Sequence, residues 1–154
     1  IIEALGLQNT WLYTEPEDKR PVDIYFKDLK MHVPKTMASF RADGGIVSTA
    51  SDSMIFIQSF FDGKLFMPDY LPELYQWKRV MFPLEYGVGI MRFKLPRLFS
   101  PFRKMPELIG HSGLSGAFAF YAPSKNCYLS GTVNQLSNPG TSFRFMLQCL
   151  DAIS

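Results

Sequence analysis

The chain has 154 residues, enough for one domain with a sizeable core and too few for two ordinary ones. Hydrophobic residues make up 47% and charged residues 19%, a balance that excludes a disordered tail. The net charge of +2 is too small to argue for nucleic acid, and no apolar run approaches the ~18 residues that span a bilayer.

The opening IIEALGL reads as the last turn of a helix running into a Gly stop, without an N-cap before it. The stretch lacks a basic n-region and a cleavage site, so it does not read as a signal peptide. A chain that starts inside an element is expected to be a fragment. Residues 1–45 then read as irregular, with turn signals at Glu15-Pro16-Glu17-Asp18, Arg20-Pro21 and Asp43-Gly44-Gly45. Within them VDIYFKDL (22–29) is a short strand or an extended segment, and His32 reads as a surface histidine without a ligand-spaced partner.

The spacing predicts a helix over 49–62. Thr49 followed by Asp52 fits a capping box, Met54, Ile57 and Phe61 share a face, and Gly63 suits the C′ position. Asp52 is thereby read as a cap and not as a catalyst. A second helical pattern covers 70–80, starting near Pro72. The period then changes to two. YGVGIMRF (86–93) alternates as a strand, with Tyr86 packing beneath it or lining part of a pocket. A loop with Pro96, Pro101 and Pro106 follows. The segment from Arg92 to Lys104 holds Arg92, Lys94, Arg97, Arg103 and Lys104 with no acid, beside Phe99 and Phe102. It reads as a solvated basic loop, with contact to an anionic membrane or cell wall as the alternative.

GAFAFYA (116–122) puts Phe118 and Phe120 on one face, and CYLSGTVNQ (127–135) puts Cys127, Leu129 and Val133 together. APSKN between them is a hairpin turn. After Asn138-Pro139-Gly140, Thr141 or Ser142 is expected to cap a helix striped by Phe143, Met146, Leu147 and Leu150. Cys127 and Cys149 have no metal spacing and read as small buried hydrophobes. The expected fold is therefore α+β: a helical and irregular part over 1–85, then a sheet of three antiparallel strands covered by a C-terminal helix over 86–154, in one partial domain. A sheet so small leaves an edge bare, so partners for it are expected from a missing N-terminal half or from self-association.

The chemistry concentrates at GHSGLSG, residues 110–116. Glycines clustered beside a strand mark a bend, a bulge or the close approach of a ligand. His111-Ser112-Gly113 permits two readings: side chains that close a strand with local hydrogen bonds, or the wall of an acyl-transfer site. In the second, a backbone N–H after the glycine would stabilise an oxyanion. His111 and Ser112 do not read as a nucleophile pair, because neighbours on a strand point to opposite faces.

Five segments in order resemble the C-terminal half of the serine β-lactamase-like family, which includes class C β-lactamases, D-alanyl-D-alanine carboxypeptidases and related esterases. IEALGLQNTW resembles the family's PLGM-x-x-T segment, ADGGIVSTASDSMIF its AGG-hydrophobic-x-S-T-A-x-D helix entry, and YGVGI its YGLGW strand. GHSGLSGAFAFYAPSKN resembles its GHxG strand pair, and CYLSGTVNQL its final strand ending in Asn. The resemblance covers almost the whole chain. It implies that His111 helps position a substrate carboxylate or assists proton transfer, that Ser112 and Gly113 contact substrate, and that the Leu114 N–H is half of an oxyanion hole. It implies an amide or ester substrate (a D-Ala-D-Ala peptide, a β-lactam or a small ester), no cofactor or metal, and a periplasmic, extracellular or membrane-associated setting. His in place of Lys at the third motif leans toward carboxypeptidase-like or esterase-like relatives.

The family's nucleophile, the serine of Ser-x-x-Lys, is not matched, since no serine here is followed three positions later by lysine. No Tyr-x-Asn occurs, and Ser124-Lys125-Asn126 falls in the hairpin turn, after HSG. The chain is thus expected to be the C-terminal part of a serine hydrolase, inactive alone. The alternative is a non-catalytic binding or interaction module that retains part of the fold.

Overall fold

The computed structural model describes residues 1–96, 98 and 105–153. The α+β expectation holds, but the sheet is larger than expected. Six antiparallel strands run as a simple meander in the order β10-β9-β8-β7-β6-β5. They are β5 (Lys78–Met81), β6 (Leu84–Tyr86), β7 (Met91–Phe93), β8 (Leu108–Ser112), β9 (Ala117–Ala122) and β10 (Cys127–Thr132).

Three strands exceed the expectation: β8, which carries the GHSG stretch and was not counted as a strand of the sheet, and β5 and β6, where two sequence expectations gave way. The 70–80 helix is a single turn, α3 (Leu71–Leu74), after a 3-10 turn at Pro68–Tyr70, and the chain is already extended by Lys78. The ring of Trp77 explains why. It stacks on Tyr75 at 5.2 Å, with the Arg92 guanidinium 4.6 Å over its face, so it caps the sheet and does not continue a helix stripe. The 86–93 strand is a hairpin, because Gly87-Val88-Gly89 turns between β6 and β7 and the Gly87 N–H donates to the Ile90 carbonyl at 2.8 Å. The YGVG alternation imitates a strand across what is a tight turn.

Side-chain alternation gives the sheet two different faces. On one face Phe118, Phe120 and Ala122 of β9 join Met91, Phe93 and Leu108 in a core closed by Phe143, Met146 and Leu150 of α4 (Gly140–Ala152). Phe143 stacks on Phe93 at 4.8 Å and meets Phe120 edge-on at 5.6 Å. The predicted stripe is the buried face, but the predicted cap is absent: α4 starts at Gly140 after Pro139, and the Ser142 hydroxyl turns back to the Pro139 carbonyl at 3.2 Å. On the other face α2 (Ala50–Phe61) lies against β9 and β10, with Phe61 4.9 Å from Tyr121 and the Tyr128 hydroxyl donating to Asp62. Burial, with the Asp62 charge beside it, pushes Tyr128 up to about 12.

Thr49 caps α2 as expected, accepting from the Asp52 N–H. The other half of the capping box is not made. The Asp52 carboxylate is buried and accepts from the Asn9 N–H and the Thr10 hydroxyl, both at 2.8 Å, tying the N-terminal segment to the helix. Residues 1–45 are also less irregular than their composition suggests. They hold β1 (Trp11–Leu12), the hairpin β2 (Ile24–Phe26) and β3 (Leu29–Met31), and α1 (Pro34–Phe40). β1 pairs with β4 (Ile46–Val47).

Cys127 and Cys149 are free and half-buried. Among the described residues no helix is long and apolar enough to cross a membrane.

Candidate functional site

Strand β8 carries the candidate residues to the open end of the sheet. Its first half, Leu108 to Gly110, is buried, and exposure begins at His111. Register sets the faces: Gly110 lies opposite Phe120, His111 opposite Ala119, and Ser112 opposite Phe118. His111 thus stands on the α2 side, and Ser112 on the core side. Adjacent as they are in sequence, the two do not converge.

The His111 ring is exposed and meets the Tyr86 ring edge-on, with centroids 5.8 Å apart. Its Nδ1 lies 3.0 Å from the Ser112 carbonyl. The half-buried Ser112 hydroxyl donates to the Met91 sulfur at 3.5 Å, a weak acceptor that a better ligand could displace. Beyond Ser112 a tight turn closes β8 onto β9: Gly113 N–H donates to the Ala117 carbonyl at 2.8 Å, and Gly116 N–H to the Gly113 carbonyl at 3.0 Å. Leu114 projects from this turn, 76% exposed, and its N–H finds no partner among the described residues.

The glycines divide by purpose. A Cβ on Gly110 would fall 2.1 Å from the Ala119 carbonyl oxygen, and Gly116 combines φ +82 with a Cβ position 2.5 Å from Val133. Both are required by the fold. Gly113 is not: a Cβ there would meet nothing closer than 3.7 Å. The space beside Gly113 is open, as the wall of a binding site needs.

A cleft of about 650 Å³ opens on the same side of the sheet, lined by Leu7, Thr10, Asp52, Ser53, Phe56 and Ala119 among others. It is predominantly apolar, and it reaches the cross-strand partner of His111. Sequence spacing gave no sign of it, because residues of the N-terminal segment, α2 and β9 meet there only through the fold. The partner of His32 was also invisible in the sequence. Asp23, on the adjoining strand end of the β2–β3 hairpin, accepts from the exposed His32 at 2.6 Å and from Lys30 at 2.8 Å. Lys30 first, and His32 after it, hold the Asp23 carboxyl below its ordinary range.

Of the basic run, Arg92 and Lys94 are consumed in ion pairs, Arg92 with Glu85 and Glu107, Lys94 with Glu107. Arg97, Phe99, Phe102, Arg103 and Lys104 lie outside the described residues. No three His, Cys, Asp or Glu side chains among the described residues group as a metal site would need.

No family model matches the chain, and no curated protein matches it by sequence. Solved structures do match it. The D-amino acid amidase from Ochrobactrum anthropi SV3 complexed with L-phenylalanine amide is 20% identical, with a TM-score of 0.76 over 99% of this chain and 49% of that one. The same enzyme complexed with D-phenylalanine is 23% identical, with a TM-score of 0.71 over 99% and 51%. A D-stereospecific amidohydrolase from a Streptomyces species is 21% identical, with a TM-score of 0.68 over 89% and 42%. The fold is shared with these proteins, and the chain spans about half their length.

Proposed function

We propose that this chain is the C-terminal part, a single partial domain, of a serine hydrolase acting on small amides such as amino-acid amides, with the nucleophile supplied by the rest of the protein. The observation that carries the reading is the turn after β8. It presents a Leu114 N–H without a partner among the described residues and open space at Gly113, on a fold shared with amidases over nearly the whole chain.

In the proposed reaction a serine oxygen adds to the substrate carbonyl carbon. The carbonyl oxygen becomes an oxyanion that the Leu114 N–H stabilises, one donor of the pair such a hole needs. The tetrahedral intermediate collapses to an acyl-serine as the C–N bond breaks, and the departing nitrogen takes up a proton. Water then attacks the ester and returns the serine. His111 faces the substrate and orients it, while Gly113 lets it lie close to the strand. Ser112 contacts substrate only if its hydroxyl leaves the Met91 sulfur.

Intact mass spectrometry after incubation with a reactive penicillin and an activated ester tests this. The complete protein is expected to gain one acyl group and this chain alone none. A stable adduct on the chain alone, at Ser112 or Ser115, would overturn the assignment of the nucleophile. Failure of the complete protein to acylate would overturn the hydrolase reading.

A further inference from the structure

The hydrogen bond from His111 to its own neighbour's carbonyl restricts what the residue can recognise. A backbone carbonyl only accepts, so the nitrogen 3.0 Å from the Ser112 oxygen, Nδ1, carries a hydrogen. Nε2 is then the ring nitrogen left for a ligand, and in the neutral ring it offers a lone pair, not a proton. Tyr86 packs edge-on against the ring, with centroids 5.8 Å apart. No carboxylate among the described residues pairs with His111, whereas His32 has the Asp23 carboxylate 2.6 Å away.

From this geometry we infer that His111 is a specificity-determining hydrogen-bond acceptor. It selects substrates that present an amide or ammonium N–H at Nε2 over substrates that end in a free carboxylate. The inference rests on the hydrolase reading for its site and departs from the role that the family resemblance implies, the positioning of a carboxylate. A lone pair repels a carboxylate, and the position would need a cation to hold one. With the Leu114 N–H three residues on, unpartnered among the described residues, the loop supplies a donor for a carbonyl oxygen and an acceptor for an N–H. Those are the two polar edges of a carboxamide.

Two measurements on the complete protein decide the matter. Long-range nitrogen–proton NMR at about pH 8, where a free imidazole is neutral, is expected to show His111 as the Nδ1–H tautomer; an Nε2–H tautomer overturns the inference. Kinetics then compares phenylalanine amide with a phenylalanyl dipeptide ending in a free carboxylate. The wild type is expected to prefer the amide, and His111→Lys to move the ratio of kcat/KM at least about tenfold toward the carboxylate, since it exchanges an acceptor for a cation. A ratio that does not move in an active H111K overturns it. If neither substrate is turned over, the hydrolase reading fails separately. The His111 resonances titrated with phenylalanine amide and with phenylalanine then decide: a shift of Nε2 with the amide alone supports the acceptor role, and a shift with the acid, or with neither, overturns it.

Discussion

Gly110 and Gly113 sit three residues apart and are held by different constraints. At Gly110 the backbone of β9 occupies the place of a side chain, and backbone cannot move aside. Gly110→Ala is expected to lose about 2 kcal/mol or more in urea unfolding. Gly113→Ala should stay within about 0.5 kcal/mol of the parent in the same assay while lowering turnover by the complete protein, because only a ligand competes for that space. Asp18 shows a different residue-scale effect. The Arg20 side chain and then the Arg20 N–H hydrogen-bond its carboxylate, with help from Trp11 Nε1, and hold its pKa down to about 2. A depressed carboxyl stabilises the fold above its unfolded value of about 3.9 and loses that contribution as pH falls through the folded value. Thermal melts between about pH 5 and pH 2 should therefore fall less steeply in Asp18→Asn than in the parent.

At the scale of the element, α4 and α2 were legible because their signals are local. Phe143, Met146 and Leu150 recur at helical spacing and all three are buried against the sheet. Phe143→Ala should cost about 3–5 kcal/mol, since it empties a site between Phe93 and Phe120. The half-exposed neighbour Phe145 should cost clearly less when truncated, by the same chemical denaturation measurement. Thr49→Ala should cost about 1 kcal/mol, the ordinary value of a lost N-cap. The misread elements were those whose local pattern fits two structures. Leu71, Leu74, Tyr75 and Trp77 satisfy a helical period, yet Trp77 is claimed by Arg92 from another strand. YGVGIMRF satisfies a strand period, yet its glycines fold it back on itself.

At the scale of the molecule, Gln135, with Asn134 and Leu136 on either side of it, links the first third of the chain to the candidate site. Gln135 accepts from the Lys27 N–H at 2.8 Å and donates to the Lys27 carbonyl at 3.1 Å, while its backbone N–H donates to the Ser115 carbonyl at 2.8 Å. The β2–β3 hairpin is thereby fastened to the turn that carries Leu114. Gln135→Ala should speed amide exchange in Ile24–Met31 at least about tenfold while leaving β8 to β10 nearly as protected as before, because the lost bonds belong to the hairpin and not to the sheet ladder. Uniform acceleration across both would contradict a local clamp.

The sequence by itself determined the α+β class, the two principal helices, the inward faces of β9 and α4, and the position of the HSG motif at the end of a strand. Each of these depends on periodicity, caps or turn residues within a dozen positions. Only the tertiary structure decided that the sheet has six strands, that Asp52 ties down Asn9 and Thr10, that His111 and Ser112 face apart, and that His111 Nδ1 lies against the Ser112 carbonyl. Those outcomes rest on pairings between distant segments and on which side chain claims which neighbour. Such choices are settled by packing and hydrogen-bond satisfaction across the whole fold, and no local spacing encodes them.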